Sequence, residues 1–230
     1  DLNIEKINPL EVSEDEVVID SNEVEILSFK EALKKYEPTI KEFFMSKAVS
    51  PNENKLTALH TAFFNKGIVI MIPENSILNK PISININIKS KTFLDNILII
   101  AEKNTKATII ESTRSDNSNQ VLRSQIVEVI AKENSYVEYI TVQSFSKSVY
   151  NFCRRNAFVE KNSFMYWIDC GIGSKFTQNS TSTSLQGEGA ESKTWGIIFG
   201  DENQCYDLNS EADHKASKTM SNMLTRVVLN

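Results

Sequence analysis

Glycine and proline are scarce, seven and five in 230 residues. The few glycines do not form a phosphate cradle. GEGAES, the densest stretch, lacks the Lys-Ser/Thr pair of a P-loop, so the chain is not read as hydrolysing ATP itself. Cysteine is scarcer still. Cys153, Cys170 and Cys205 form no CxxC pair, which argues against a disulfide framework and for a reducing cytosolic setting. Clustered thiolates for a self-contained zinc or iron–sulfur site are likewise missing. His60 and His214 are the only histidines, too few for an imidazole metal cage. The net charge of -5 leaves no basic footprint for nucleic acid. No apolar run approaches the ~18–20 residues that span a bilayer. The opening DLNIEKINPL has neither a basic n-region nor an apolar core, so it does not read as a secretory signal.

The remaining composition, 40% hydrophobic and 24% charged, is that of an ordinary globular chain. Asp1 to about Glu23 is acidic and without sustained period, which predicts an irregular arm. Ser28-Phe29-Lys30-Glu31 fits a capping box, and Phe29, Leu33 and Tyr36 follow on one helical face. Glu37-Pro38 should end that helix, because the residue before proline is pushed out of the α region. Thr39-Ile40-Lys41-Glu42 repeats the box and opens a second helix carrying Ile40, Phe43, Phe44 and Ala48. A third helix is expected from Thr57 to Phe64, with Gly67 as its terminator. These aromatic stripes read as core packing rather than a cofactor box.

After Gly67 the texture changes. GIVIMIP, KPISININIK, NILIIAE, QIVEVIA, YVEYITV and GIIFG are short runs rich in β-branched and aromatic residues, several alternating with period two. The chain therefore divides into residues 1–66, an acidic arm with a short helical segment, and residues 67–230, a β body.

A small polar knot punctuates that body: PENSIL, EKNTKATII, KENSYVEYI and EKNSFMYWI. Its asparagines, Asn75, Asn104, Asn134 and Asn162, lie 29, 30 and 28 residues apart. Weaker echoes fall at Glu191 and Thr219. A fixed period in this range is the signature of a solenoid. About 30 residues hold two strands of roughly ten plus their turns, which predicts a parallel β-helix with one continuous apolar interior. Asparagine tolerates the left-handed conformation of a tight corner, and stacked asparagines can hydrogen-bond to one another. The last coil, SNMLTRVVLN, would leave its strand edges open unless more chain or another subunit covered them.

Two stretches resemble a known family. In TALHTAFFNKGIVIMIPENSILNKPISI, residues Ala58, Leu59, Ala62, Gly67, Pro73, Pro81 and Ile82 match the entry to the core domain of the SufB/SufD iron–sulfur cluster assembly proteins. His60 replaces the family's asparagine. In DHKASKTMSNMLTRVVLN, residues His214, Lys215, Thr219, Ser221 and Arg226 match a late β-helix segment. The resemblance spans roughly Thr57 to Asn230. It implies a right-handed parallel β-helix and a role as a cytoplasmic scaffold. It also implies two partners: a SufC-like ABC ATPase, and an identical or SufB-like β-helix subunit. The iron–sulfur cluster, and a flavin if one is used, would belong to the full complex and not to this chain alone.

Two departures from the family pattern matter. The Cys-x-His-Gly motif of the family's C-terminal helical region does not occur here, so the chain is expected to be part of a longer protein. Phe158 stands where the SufB branch has a β-helix cysteine, which favours a SufD-like branch.

No catalytic, cofactor-binding or metal-ligating set emerges. Cys205, in the polar ENQCYD, and His214, beside Asp213, are weak metal or reactivity candidates only. Cys153 and Cys170 read as small buried hydrophobes. Arg154-Arg155 with Asp169 could suggest a carbohydrate lyase, but adjacent strand residues face opposite ways and cannot line one cleft. A β-helix enzyme acting on carbohydrate and a purely structural solenoid remain the alternative classes.

Overall fold

The structure is a computed structural model and describes residues 15–21, 24–116 and 118–230. Two short strands come first, β1 (Glu16–Asp20) and β2 (Glu25–Ser28), then helices α1 (Phe29–Lys35), α2 (Glu37–Phe43) and α3 (Lys55–Phe63). Twelve strands follow. They are β3 (Lys66–Ile72), β4 (Ile82–Asn87), β5 (Thr92–Ala101), β6 (Lys106–Ser115), β7 (Val121–Ala131), β8 (Tyr136–Phe145), β9 (Val149–Val159), β10 (Phe164–Gly173), β11 (Phe176–Leu185), β12 (Glu191–Gly200), β13 (Cys205–His214) and β14 (Met220–Leu229).

Successive strands alternate between two sheets. One runs β1-β4-β6-β8-β10-β12-β14 and the other β13-β11-β9-β7-β5-β3-β2. From β3 and β4 onward every pairing is parallel, each strand lying on its counterpart one coil earlier. The result is a parallel β-solenoid of about six turns with coils of about 29 residues, as the repeat requires.

The corners explain the period. Asn75, Asn104, Asn134 and Asn162 all adopt φ between 55° and 62°, the left-handed region that asparagine enters more cheaply than most residues. Their amides form a ladder: Asn104 Nδ2 donates to Asn75 Oδ1 at 2.9 Å, Asn134 to Asn104 at 3.1 Å and Asn162 to Asn134 at 3.4 Å. The corner continues at Gly189 and Lys218, which also have positive φ, and not at Glu191 and Thr219. Glu191 in fact pairs with Phe164 at the start of its strand. Glycine meets the backbone requirement without any side-chain likeness to asparagine, which is why the echo was misplaced.

Helix starts follow local chemistry. Ser28 Oγ accepts the Glu31 N–H and Glu31 Oε2 accepts the Ser28 N–H, completing the expected box. Pro38 does not end α1. It sits in the first turn of α2, where its missing N–H costs nothing, so Thr39 lies inside the helix and the second capping box does not form. Helix α3 starts at Lys55 because Asn54 caps it, its Oδ1 accepting from Leu56 and Thr57 N–H. Gly67 terminates no helix. It lies in β3 under the Phe29 ring, where an added Cβ would come within 2.4 Å of ring carbon Cδ2.

The three helices cover the outer face of the second sheet. Ala32, Ile40 and Phe43 pack on Val69, Leu98, Ile100 and Ile130, with Phe29, Tyr36 and Phe44 around them. Leu33 stays exposed. Part of the expected irregular arm is a strand: β1 pairs antiparallel with β4. The rest, residues 1–14, 22 and 23, lies outside the described residues. No helix is long and apolar enough to cross a membrane among the described residues.

Candidate functional site

The solenoid interior changes character along its axis. The first coils bury Ile70, Ile72, Ile82, Ile84 and Ile99 without exposure. Then charge appears. Inward positions of β5, β6, β7, β9 and β10 carry Asp95, Glu111, Arg123, Arg155 and Asp169. Strand register stacks Asp95, Gln125, Cys153 and Asn179 in one inward column, and Glu111, Thr141 and Asp169 in the facing column of the other sheet.

Two linked groups result. In the first, Arg123 Nη2 donates to Glu111 Oε1 at 2.8 Å and lies with Nε 3.7 Å from Asp95 Oδ1. Tyr139 OH donates to Glu111 Oε2 at 2.6 Å. Gln125 Nε2 donates to both Asp95 Oδ2 and Glu111 Oε1 at 2.8 Å, and Cys153 Sγ donates to Gln125 Oε1 at 3.2 Å. In the second, Arg155 Nη1 lies 3.1 Å from Asp169 Oδ1, and Asp169 also accepts from Thr141 and Asn179.

Burial and pairing set the protonation states. Desolvation pushes the Asp95 carboxyl up to about 7 against the pull of Arg123. Desolvation also raises Glu111, but Arg123 and Arg155 outweigh it and hold that carboxylate below its usual value. Burial raises Tyr139 well above a normal phenol. The Cys153 thiol is raised by burial although two guanidiniums oppose it. It is therefore a protonated thiol inside the wall, and the thiolate is the nucleophilic form. Orphaned polar atoms remain beside it: Asp95 Oδ1, Arg123 Nε and Arg155 Nε make no hydrogen bond.

A second polar feature lies outside. A groove of about 600 Å³ runs between α3 and the outer face of the second sheet, lined among others by His60, Ser124, Phe152, Arg154, Gln178 and Asp207. His60 is buried, with Nδ1 2.8 Å from Ser124 Oγ, and desolvation lowers it to about 4, so its imidazole is neutral. Arg154 reaches outward to Glu53 while its neighbour Arg155 points inward, as strand alternation demands.

The residues singled out from sequence do not converge. Cys205 opens β13 and His214 closes it, about 30 Å apart along a ten-residue strand. Cys205 is exposed. His214 is exposed as well, its Nδ1 2.7 Å from Thr219 Oγ1 and Nε2 3.0 Å from Ser221 Oγ, a ladder histidine. Cys170 sits half-buried on the outer face of the first sheet. Phe158 points outward from β9 and packs on the apolar cluster between the second sheet and the helices. Among the described residues no three His, Cys, Asp or Glu side chains group to hold a metal. The interior charge network escaped the sequence reading. Its only signal was a charged or amide residue at alternate positions of otherwise apolar strands, as in VLRSQIVEV.

Comparison with known proteins places the chain. Residues 84–230 match the SufBD core domain of the SUF system of FeS cluster assembly, and residues 11–84 match the SufBD protein N-terminal region. The iron-sulfur cluster assembly SufBD family proteins of Staphylococcus epidermidis, Staphylococcus haemolyticus and Staphylococcus aureus are each 32% identical over 225 residues, covering 94% of this chain and 48% of the relative. The chain thus spans about half the length of the curated relatives it matches. With the repeat, the solenoid and these matches in agreement, the chain belongs to the SufBD family of iron–sulfur cluster assembly proteins.

Proposed function

We propose that this chain is a SufD-like scaffold component of cytoplasmic iron–sulfur cluster assembly, which pairs with a second β-helix subunit and works with an ABC-type ATPase without turnover of its own. The observation that carries the reading is family membership across both the N-terminal and core regions. Two features of this chain support the SufD-like branch. Phe158, where the thiol-bearing branch has cysteine, is a half-buried apolar residue packed on the cluster shared by the helices and the second sheet. The one interior thiol among the described residues, Cys153, is buried, and burial raises its pKa. A nascent cluster would be cargo of the assembled complex, held with residues beyond this chain's own.

The test is co-purification of the tagged native protein with an ABC-type ATPase from its own cells, alongside the activity of iron–sulfur enzymes after its deletion. Recovery of the ATPase and a fall in several such enzymes together are expected. No ATPase in the complex and unchanged enzyme activities would sink the proposal.

A further inference from the structure

The groove beside α3 has a floor of two adjoining rows of outward side chains on the second sheet. Register sets Ser124, Phe152, Gln178 and Asp207 in one row and Ile126, Arg154, Ser180 and Asn209 in the next. Four strands about 4.8 Å apart make each row about 14 Å long. The volume of about 600 Å³ is that of a small-molecule site. The lining is polar but nearly without net charge. Arg154 is committed to Glu53, Ser182 and a backbone carbonyl. His60 is neutral. Lys55 and Asp207 remain, of opposite sign. What the groove offers is neutral hydrogen-bonding groups around one aromatic ring. Phe152 is half-buried and braced by Phe176, with ring centroids 5.6 Å apart. Gln178 donates its amide N–H to Asp207 and keeps its carbonyl oxygen free. Ser180 and Asn209 have no side-chain partner among the described residues. At the inner wall, His60 Nε2 and both amide atoms of the neighbouring Asn96 are buried without a hydrogen bond, where such groups are ordinarily satisfied.

We infer that this groove binds a small neutral saccharide, its apolar ring face stacked on Phe152 and its hydroxyls on Gln178, Asp207, Ser180 and Asn209. A sugar hydroxyl donates and accepts at once, which suits a lining that mixes amide, hydroxyl and carboxylate groups. The C–H face of a pyranose suits the electron-rich face of an aromatic ring. Other ligands fit less well. A phosphate or nucleotide would find Lys55 as its one unpaired cation in the described lining, with Asp207 opposing it. A peptide strand would find no edge, because β7, β9 and β11 are each paired on both sides and their backbone groups are already taken. The site binds without cleaving. Glycoside hydrolysis needs two carboxyl groups across the bond, and among the described lining residues Asp207 alone carries one. The inference concerns ligand binding alone and does not depend on the cluster-assembly reading.

Calorimetric titration of the native protein with maltose, cellobiose and sucrose tests it. At least one should bind with a Kd of about 1 mM or tighter. The affinity should be the same at low and high salt, because a neutral ligand pairs no charge. Phe152→Ala and Asp207→Ala should each weaken binding about tenfold with unchanged circular dichroism. Asp207 is exposed, so its variant still reports if Phe152→Ala unfolds the chain. Trp195→Ala, an exposed aromatic on the other sheet, should leave the affinity unchanged. No heat from any of the three sugars at ~20 mM overturns the inference. So does an affinity indifferent to Asp207→Ala and to a folded Phe152→Ala, or one abolished by salt.

Discussion

Arg123 donates to Glu111 at 2.8 Å in the middle of the solenoid, with both side chains 1–2% exposed. An ion pair so deep carries a large desolvation cost, offset here by Tyr139, Gln125 and Asn151. Removing one partner strands the other. Arg123→Met is expected to destabilise the chain by about 3–5 kcal/mol. Adding Glu111→Leu to Arg123→Met should recover a large part of that loss, and denaturant unfolding of the two variants reads the difference.

Asn134 tests the corner ladder. Its φ of 60° suits asparagine or glycine and strains a β-branched residue. Asn134→Val is expected to cost about 1–3 kcal/mol, and Asn134→Gly, which loses only two ladder hydrogen bonds, distinctly less. The thermal unfolding midpoint measures both.

Stability should depend on pH in the direction set by Asp95 and Glu128. Burial raises both carboxyls to about 7, Glu128 despite accepting the N–H groups of Met45 and Val49. Folded pKa values above the unfolded ones mean that the native state binds more protons. Their contribution is full below about pH 4 and is lost as pH rises towards 7. Asp95→Asn with Glu128→Gln should flatten the slope in that window. A slope unchanged in the double variant would show that other groups set it.

The three thiols should react in order of exposure. Cys205 is exposed, Cys170 intermediate and Cys153 buried with a raised pKa. A maleimide should label Cys205 fast, Cys170 more slowly and Cys153 only on unfolding, as mass spectrometry of labelled peptides would show. Native-state labelling of Cys153 at the rate of Cys205 would mean that the interior opens.

The legible parts of this protein were those with local or periodic causes. Asn75, Asn104, Asn134 and Asn162 announced the coil because one backbone conformation needs one kind of residue at every turn. Ser28 and Glu31 announced α1 because a capping box is complete within four residues. Pro38 was misread because the same ring that breaks a helix interior suits a helix start, and sequence alone does not say which it meets. Gly189 was missed as a corner because its fitness there lies in its backbone. The interior network was illegible for a different reason. Asp95, Gln125 and Cys153 are 28 to 30 residues apart in sequence, and alternation says only that they share a face, not whether that face is interior or solvent.

The sequence by itself therefore determined the solenoid, its coil length, its four asparagine corners and its family, where one conformational preference recurs at a fixed interval. Tertiary structure decided what the faces mean. It turned Arg155 inward to Asp169 and Arg154 outward to Glu53. It kept Cys205 and His214 apart, buried Cys153 among paired charges, and left Trp195, Ile197 and Phe199 uncovered. The physical reason is that burial, pairing and protonation are properties of neighbours, and in a solenoid the neighbours lie one coil away.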